Sequence, residues 1–246
     1  MTKTETACTA PALDSPATSG RFSGWLIMGW RLFRRAPLGL FGLMLLLFAV
    51  EMLVQIMIPV VGIPLSKWVV AMLGGIYWLV LYQLAGSGRL QILTALGKIG
   101  DKWPALAALA VVPLLIYFVQ VTVGYLVLGP GAVDLLVYAQ TTGDAPTGPF
   151  QLGLIFTTGV PLSTLVMFAA PLLLIDRYPL GKALFTSIQM CVRHALPVTL
   201  LGFMTMLLVF VAPATWLLPT LLLGPWLLCV GLAAYLDIGP HVGHRV

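Results

Sequence analysis

Gly181-Lys182-Ala183-Leu184-Phe185-Thr186-Ser187-Ile188-Gln189-Met190-Cys191-Val192-Arg193-His194-Ala195-Leu196-Pro197 lies between two apolar runs, and its pattern recurs. Gly88-Arg89 starts a segment that reaches Pro104, so in both copies Pro follows fifteen residues after the basic residue. Gly20-Arg21 leads to Pro37 with one residue more. In 181–196 the apolar residues fall at Leu184, Phe185, Ile188, Val192 and Leu196, and the polar ones at Lys182, Ser187, Gln189, Arg193 and His194. That spacing predicts a helix with one wet face. In 88–103, Ile92, Leu93, Leu96, Ile99 and Trp103 oppose Gln91, Thr94, Lys98 and Lys102; in 21–36, Phe22, Trp25, Leu32 and Phe33 oppose Ser23, Arg31, Arg34 and Arg35. Each segment feeds a proline, which is unstrained at the first position of the next helix because its missing N–H would be unpaired there anyway.

What surrounds these segments is apolar. Of 246 residues, 60% are apolar and 9% charged, whereas a soluble domain carries about a quarter charged residues. So much apolar surface requires lipid as solvent. Six runs have the length of a span: 37–58, 64–84, 104–128, 153–175, 197–216 and 217–236. The last two share one long run, which Pro213 and Pro219 divide into two helices joined by a tight turn. The expected fold is therefore all-α: a polytopic membrane bundle of three hairpins, each preceded by an amphipathic interfacial helix.

The basic residues orient the bundle. Lys3, Arg21, Arg31, Arg34, Arg35, Arg89, Lys98, Lys102, Arg177, Lys182, Arg193 and Arg245 fall on one side of the six runs, and of the thirteen basic residues only Lys67 falls on the other. The positive-inside rule places that side, with both termini, in the cytoplasm. A net charge of +5 is no nucleic-acid signal. The basic residues sit at the ends of apolar runs, where anionic headgroups lie, so the implied partners are the lipid bilayer and possible neighbouring membrane proteins. Trp25, Trp30 and Trp103 suit the headgroup level. Residues 1–20 read as a disordered polar tail without a signal-peptide core, 21–238 as a single transmembrane domain, and 239–246 as a short tail. The outer loop 129–150 is rich in Gly and Pro, and Leu135-Leu136-Val137-Tyr138 within it fits a short interfacial helix or an incidental apolar patch equally. Cys8, Cys191 and Cys229 form no spacing that suggests a disulfide framework or zinc site.

The repeat extends beyond the basic segments. Gly62-Ile63-Pro64-Leu65-Ser66 matches Gly159-Val160-Pro161-Leu162-Ser163, and Gln83 and Asp176 each stand five residues before the Gly of the next basic segment, with Asp237 as a third copy. The chain reads as three parallel units of surface helix plus hairpin. Internal repeats are frequent in transporters, but non-transporting scaffolds carry them too.

Arg31-Leu32-Phe33-Arg34-Arg35-Ala36-Pro37-Leu38, then Phe168-Ala169-Ala170-Pro171-Leu172-Leu173-Leu174, then Leu180-Gly181-Lys182-Ala183-Leu184 leading to Arg193-His194, resemble a family of uncharacterised proteobacterial inner-membrane proteins. The likeness covers about residues 21–238. It extends more distantly to the membrane domain found beside glycerophosphodiester phosphodiesterases. His194 stands where that pattern favours Asn. The resemblance implies a six-helix protein of the bacterial inner membrane and no particular activity.

Candidate chemistry is sparse. Glu51 is the only acidic residue well inside an apolar run, fourteen residues past Pro37, or roughly 21 Å along a helix. Gln55 follows one turn later on the same face. An intramembrane carboxylate is costly and often functional; the plainer reading keeps Glu51 near the outer interface, protonated or paired with Lys67. Gln120 suits helix–helix hydrogen bonding or a ligand contact. Asp176 and Asp237 suit ion pairing at inner helix ends. Asp237 with His241 and His244 is too sparse a set for a metal without a fourth ligand. No nucleophile–base pair, phosphate loop or cofactor motif is present, so no cofactor is expected. The favoured reading is a non-enzymatic membrane protein that packs against lipid or other membrane proteins. The alternative is a small-solute or lipid transporter using Glu51, and an intramembrane enzyme has least support.

Overall fold

The computed structural model describes residues 18–138 and 148–240, and every regular element among them is helical. In chain order these are α1 (Thr18–Phe33), α2 (Pro37–Met57), α3 (Gly62–Ser87), α4 (Ile92–Ile99), α5 (Trp103–Leu109), α6 (Val111–Leu128), α7 (Gly131–Tyr138), α8 (Pro149–Thr157), α9 (Val160–Val166), α10 (Ala169–Leu174), α11 (Leu180–Arg193), α12 (Ala195–Val211) and α13 (Leu218–Ile238). Prolines open α2, α5, α8, α9 and α13 at their first or second positions, where no intrahelical donor is lost. Gly88 ends α3 at φ 70°, with its N–H donating to Leu84 O (3.0 Å), a left-handed cap that a side chain would strain.

Five helical runs are long and apolar enough to cross a membrane: Pro37–Met57, Gly62–Ser87, Ile92–Leu128, Pro149–Leu174 and Leu218–Ile238. Counting the pair α11–α12, bent by 101° at His194, as one span raises the number to six. The expected divider of the last long run lies where the prolines put it. A 3₁₀ turn at Pro213–Thr215 is followed by Trp216 and Leu217, both left-handed (φ 53° and 63°), before α13 begins.

Half of the apolar window is buried in α3 and in α13, against 11% in α2, so α3 and α13 are inner helices and α2 is peripheral. α1 packs on α13, α4 on α3, and α11 on α9 and α10. In lipid such contacts rest on close packing and hydrogen bonds rather than on expulsion of water. Gly29 of α1 approaches Val230 so closely that a Cβ would sit 2.5 Å from its Cγ2. Tyr77 Oη of α3 donates to Leu40 O of α2 (3.0 Å). Phe168 and Tyr235 stack with centroids 6.3 Å apart, both fully buried.

Several expectations need correction. The fourth apolar run keeps the length of a span, Pro149–Leu174, but is built of three short helices, because an unbroken helix would need N–H donors at Pro161 and Pro171. Trp25 faces the protein rather than the surface of the bundle: it is buried, and its Nε1 donates to Asp237 Oδ2 (2.9 Å). Trp30 and Trp103 are exposed. Ser187, expected on a wet face, is fully buried. Helix α1 starts at Thr18, so residues 18–20 do not belong to a disordered tail; the rest of that tail lies outside the described residues, as do His241 and His244. Leu135–Tyr138 forms the end of α7, resolving the two readings of that patch in favour of helix.

Candidate functional site

Glu51 and Gln55 stand one turn apart near the end of α2, facing the first turns of α3. Lys67 Nζ donates to Glu51 Oε1 in a close ion pair. Gln55 Nε2 donates to Ser66 Oγ (3.0 Å) and, more weakly, to Glu51 Oε1 (3.4 Å), while Ser66 Oγ donates to Ile63 O (2.7 Å). The Glu51 side chain is 17% exposed and that of Lys67 34%. The carboxylate is thus neutralised by its neighbour at the tip of the first hairpin, at the end of the bundle away from Arg34 and Arg89.

Gln120 belongs to a different place. Its Nε2 donates to Phe156 O (2.6 Å), at the break between α8 and α9. A Cβ on Gly159 would lie 2.4 Å from that nitrogen, so the glycine is what allows the amide to reach the break. Among the described residues no hydrogen bond joins Gln120 to the Glu51–Gln55–Ser66–Lys67 group.

A groove of about 180 Å³ opens between α3, α5–α6 and α9–α10. Its walls include Gly74, Trp78, Leu106, Pro113, Ser163 and Met167; neither Glu51 nor Gln120 lines it.

At the opposite end stand the basic residues. Arg31, Arg34, Arg35, Arg89, Lys98, Lys182 and Arg193 are exposed and Lys102 half-buried. Two arginines cap helix ends, where a cation meets carbonyls that lack intrahelical donors. Arg35 Nη1 donates to Ala85 O (3.0 Å). Arg177 Nη2 donates to Lys98 O (2.7 Å), with a long contact from Nη1 to Asp101 (3.4 Å). Lys182 Nζ lies 4.1 Å above the Tyr178 ring. Among the described residues, the side chains of Arg31, Arg34, Arg89, Lys98, Lys102 and Arg193 make no hydrogen bond or ion pair. On α11 the side toward the bundle is Ala183, Ser187, Met190 and Cys191, whereas Phe185, Ile188 and Val192 are exposed beside Lys182 and Arg193, as is Leu196 just beyond the bend.

The residues at the repeated helix-end position are held by hydrogen bonds. With its amide turned to satisfy both partners, Gln83 donates to Gln91 O (2.9 Å) and accepts from the Ala95 N–H (3.0 Å). Tyr235 Oη donates to Asp176 Oδ2 (2.5 Å), and Trp25 meets Asp237. The roles of Ser187 and Cys191 at the α9–α10 break were not foreseen from the sequence; Pro171, which must free backbone groups, was the available signal. No family model, curated protein or solved structure matches this chain.

Proposed function

We propose that this chain is a multi-pass component of a bacterial inner membrane, with both termini cytoplasmic. In this reading it acts without catalysis, by engaging anionic headgroups and neighbouring membrane proteins. It belongs with the proteobacterial family whose motifs it carries. The arrangement is three units, each a surface helix (α1, α4, α11) followed by a hairpin. The single observation that carries the reading is the set of exposed, unpaired basic side chains beside exposed apolar ones at one end of the bundle. Such a surface suits a boundary between headgroups and acyl chains. The ion pairing of Glu51 with Lys67 and its separation from Gln120 and from the groove favour this reading over transport.

Proteoliposomes provide the test. The expected result is no solute or proton flux above that of empty vesicles, with Glu51→Gln indistinguishable from the parent. A flux that Glu51→Gln abolishes while inserting normally would replace the scaffold reading with a transporter.

A further inference from the structure

We propose that the groove between α3, α5–α6 and α9–α10 holds an acyl chain of an anionic glycerophospholipid whose headgroup rests on Lys98 and Lys102. The inference rests on the headgroup-facing reading of the basic segments and adds to it a built site and a ligand class. Lys102, Leu106, Leu109, Pro113 and Ile116 follow one another at helical spacing of four, three, four and three residues, so they form one stripe. The backbone stays near helical at the two junctions, Lys102 (φ −85°, ψ −2°) and Ala110 (φ −64°, ψ −14°), so the stripe carries through. All of its members after Lys102 line the groove. Lys98 closes α4 on the other side of the left-handed Gly100 (φ 52°), four residues before Lys102, and Arg177 fixes its carbonyl from the α10–α11 connection.

The groove therefore starts about 6 Å from a lysine and runs roughly 15 Å along the helix. Neither lysine side chain has a hydrogen-bond or ion-pair partner among the described residues. Trp103, exposed next to Lys102, adds an aromatic ring at the level of the glycerol backbone. Gly74 leaves room on the α3 wall, since a Cβ there would meet nothing within 4 Å, while Gly75 lets Leu106 pack closely on α3, where a Cβ would lie 2.5 Å from Leu106 Cδ1. The charge pair selects an anionic headgroup and the apolar walls select hydrocarbon.

The full chain, purified in mild detergent, is titrated with dioleoylphosphatidylglycerol or dioleoylphosphatidylcholine and bound lipid is counted by native mass spectrometry. Phosphatidylglycerol is expected to bind tighter by on the order of tenfold, given two lysines at the site. Lys98→Gln with Lys102→Gln should bring the two lipids level. Gly74→Leu should weaken both by filling the groove, as should Ser163→Phe, which enters from the opposite wall; melting temperatures show whether each variant is folded. Undiminished phosphatidylglycerol binding in a folded groove-filled variant would overturn the site. If its preference for phosphatidylglycerol were then lost only on neutralising Lys182 and Arg193, the general headgroup reading would stand without the groove. Equal binding of the two lipids by the parent chain would overturn both.

Discussion

Ser187 Oγ accepts the backbone N–H of Phe168 at 3.2 Å and donates to Leu165 O at 2.9 Å, closing the break between α9 and α10 from a neighbouring helix. One turn further along α11, Cys191 Sγ donates to Thr164 O (3.3 Å). Pro171 prevents α9 and α10 from joining, and unpaired backbone groups are costly where no water can reach them. Two side chains on one face of α11 meet that demand and thereby fix α11 against the fourth run. Ser187→Ala should lower stability by about 1–3 kcal/mol, the cost of leaving buried groups unpaired, read as a lower melting temperature in detergent. Cys191→Ser, which keeps a donor, should be nearly neutral. Equal melting temperatures for Ser187→Ala and the parent would mean the break needs no such support.

Tyr235 is fully buried and its hydroxyl reaches Asp176. Tyr235→Phe retains the ring stacked on Phe168 and loses that hydrogen bond to a carboxylate. A loss of about 1.5–3 kcal/mol is expected, and in an Asp176→Asn background the same change should cost less. Additive losses would show that the two side chains do not act as a pair.

The helical class and the positions of the long runs were legible in the sequence because length and apolarity alone decide them. Pro213 and Pro219 marked the last turn because each lacks the N–H that a helix running through it would use, although Pro225 is accommodated within α13. Which polar residue of α11 faces protein was not legible. A helix lying between bundle and solvent has three sides, and periodicity separates apolar from polar without telling Ser187, aimed at a broken backbone, from Gln189. The partner of Trp25 was not legible on similar grounds: an indole suits an interface, but also suits a half-buried carboxylate such as Asp237. The pairing of Glu51 with Lys67 was one of the two readings that the sequence left open.

His194, at the bend between α11 and α12, accepts from Arg21 Nη1 through Nδ1 at 3.3 Å in its neutral form. Burial, then the nearby Arg21 charge, hold its pKa below the ordinary 6.5; Asp237 opposes this and Arg193 adds to it. The unfolded chain therefore binds more protons than the folded one between the lowered value and 6.5, so this contribution is present above that window and is lost as pH falls through it. His194→Gln should flatten the dependence of melting temperature on pH between about 7 and 5. An unchanged slope would remove His194 from the account.

Glu51→Gln leaves Lys67 without its charge partner, but Lys67 is one-third exposed and can hydrate. A change in stability within about 1 kcal/mol is expected, as for other partly exposed pairs. A fall of several kcal/mol in a thermal or denaturant titration would show that the ion pair is sealed from water.

The placement of the basic segments along one membrane face is tested most directly on α11. Single cysteines are introduced across 180–196 in a chain with Cys8, Cys191 and Cys229 replaced, and labelled with a membrane-impermeant thiol reagent in inside-out vesicles. Positions 182 and 193 should label rapidly, while 185, 188, 192 and 196, though exposed on the protein itself, should be shielded by lipid. Labelling of 185, 192 and 196 as fast as 182 and 193, or labelling of the basic positions only in right-side-out vesicles, would contradict the account.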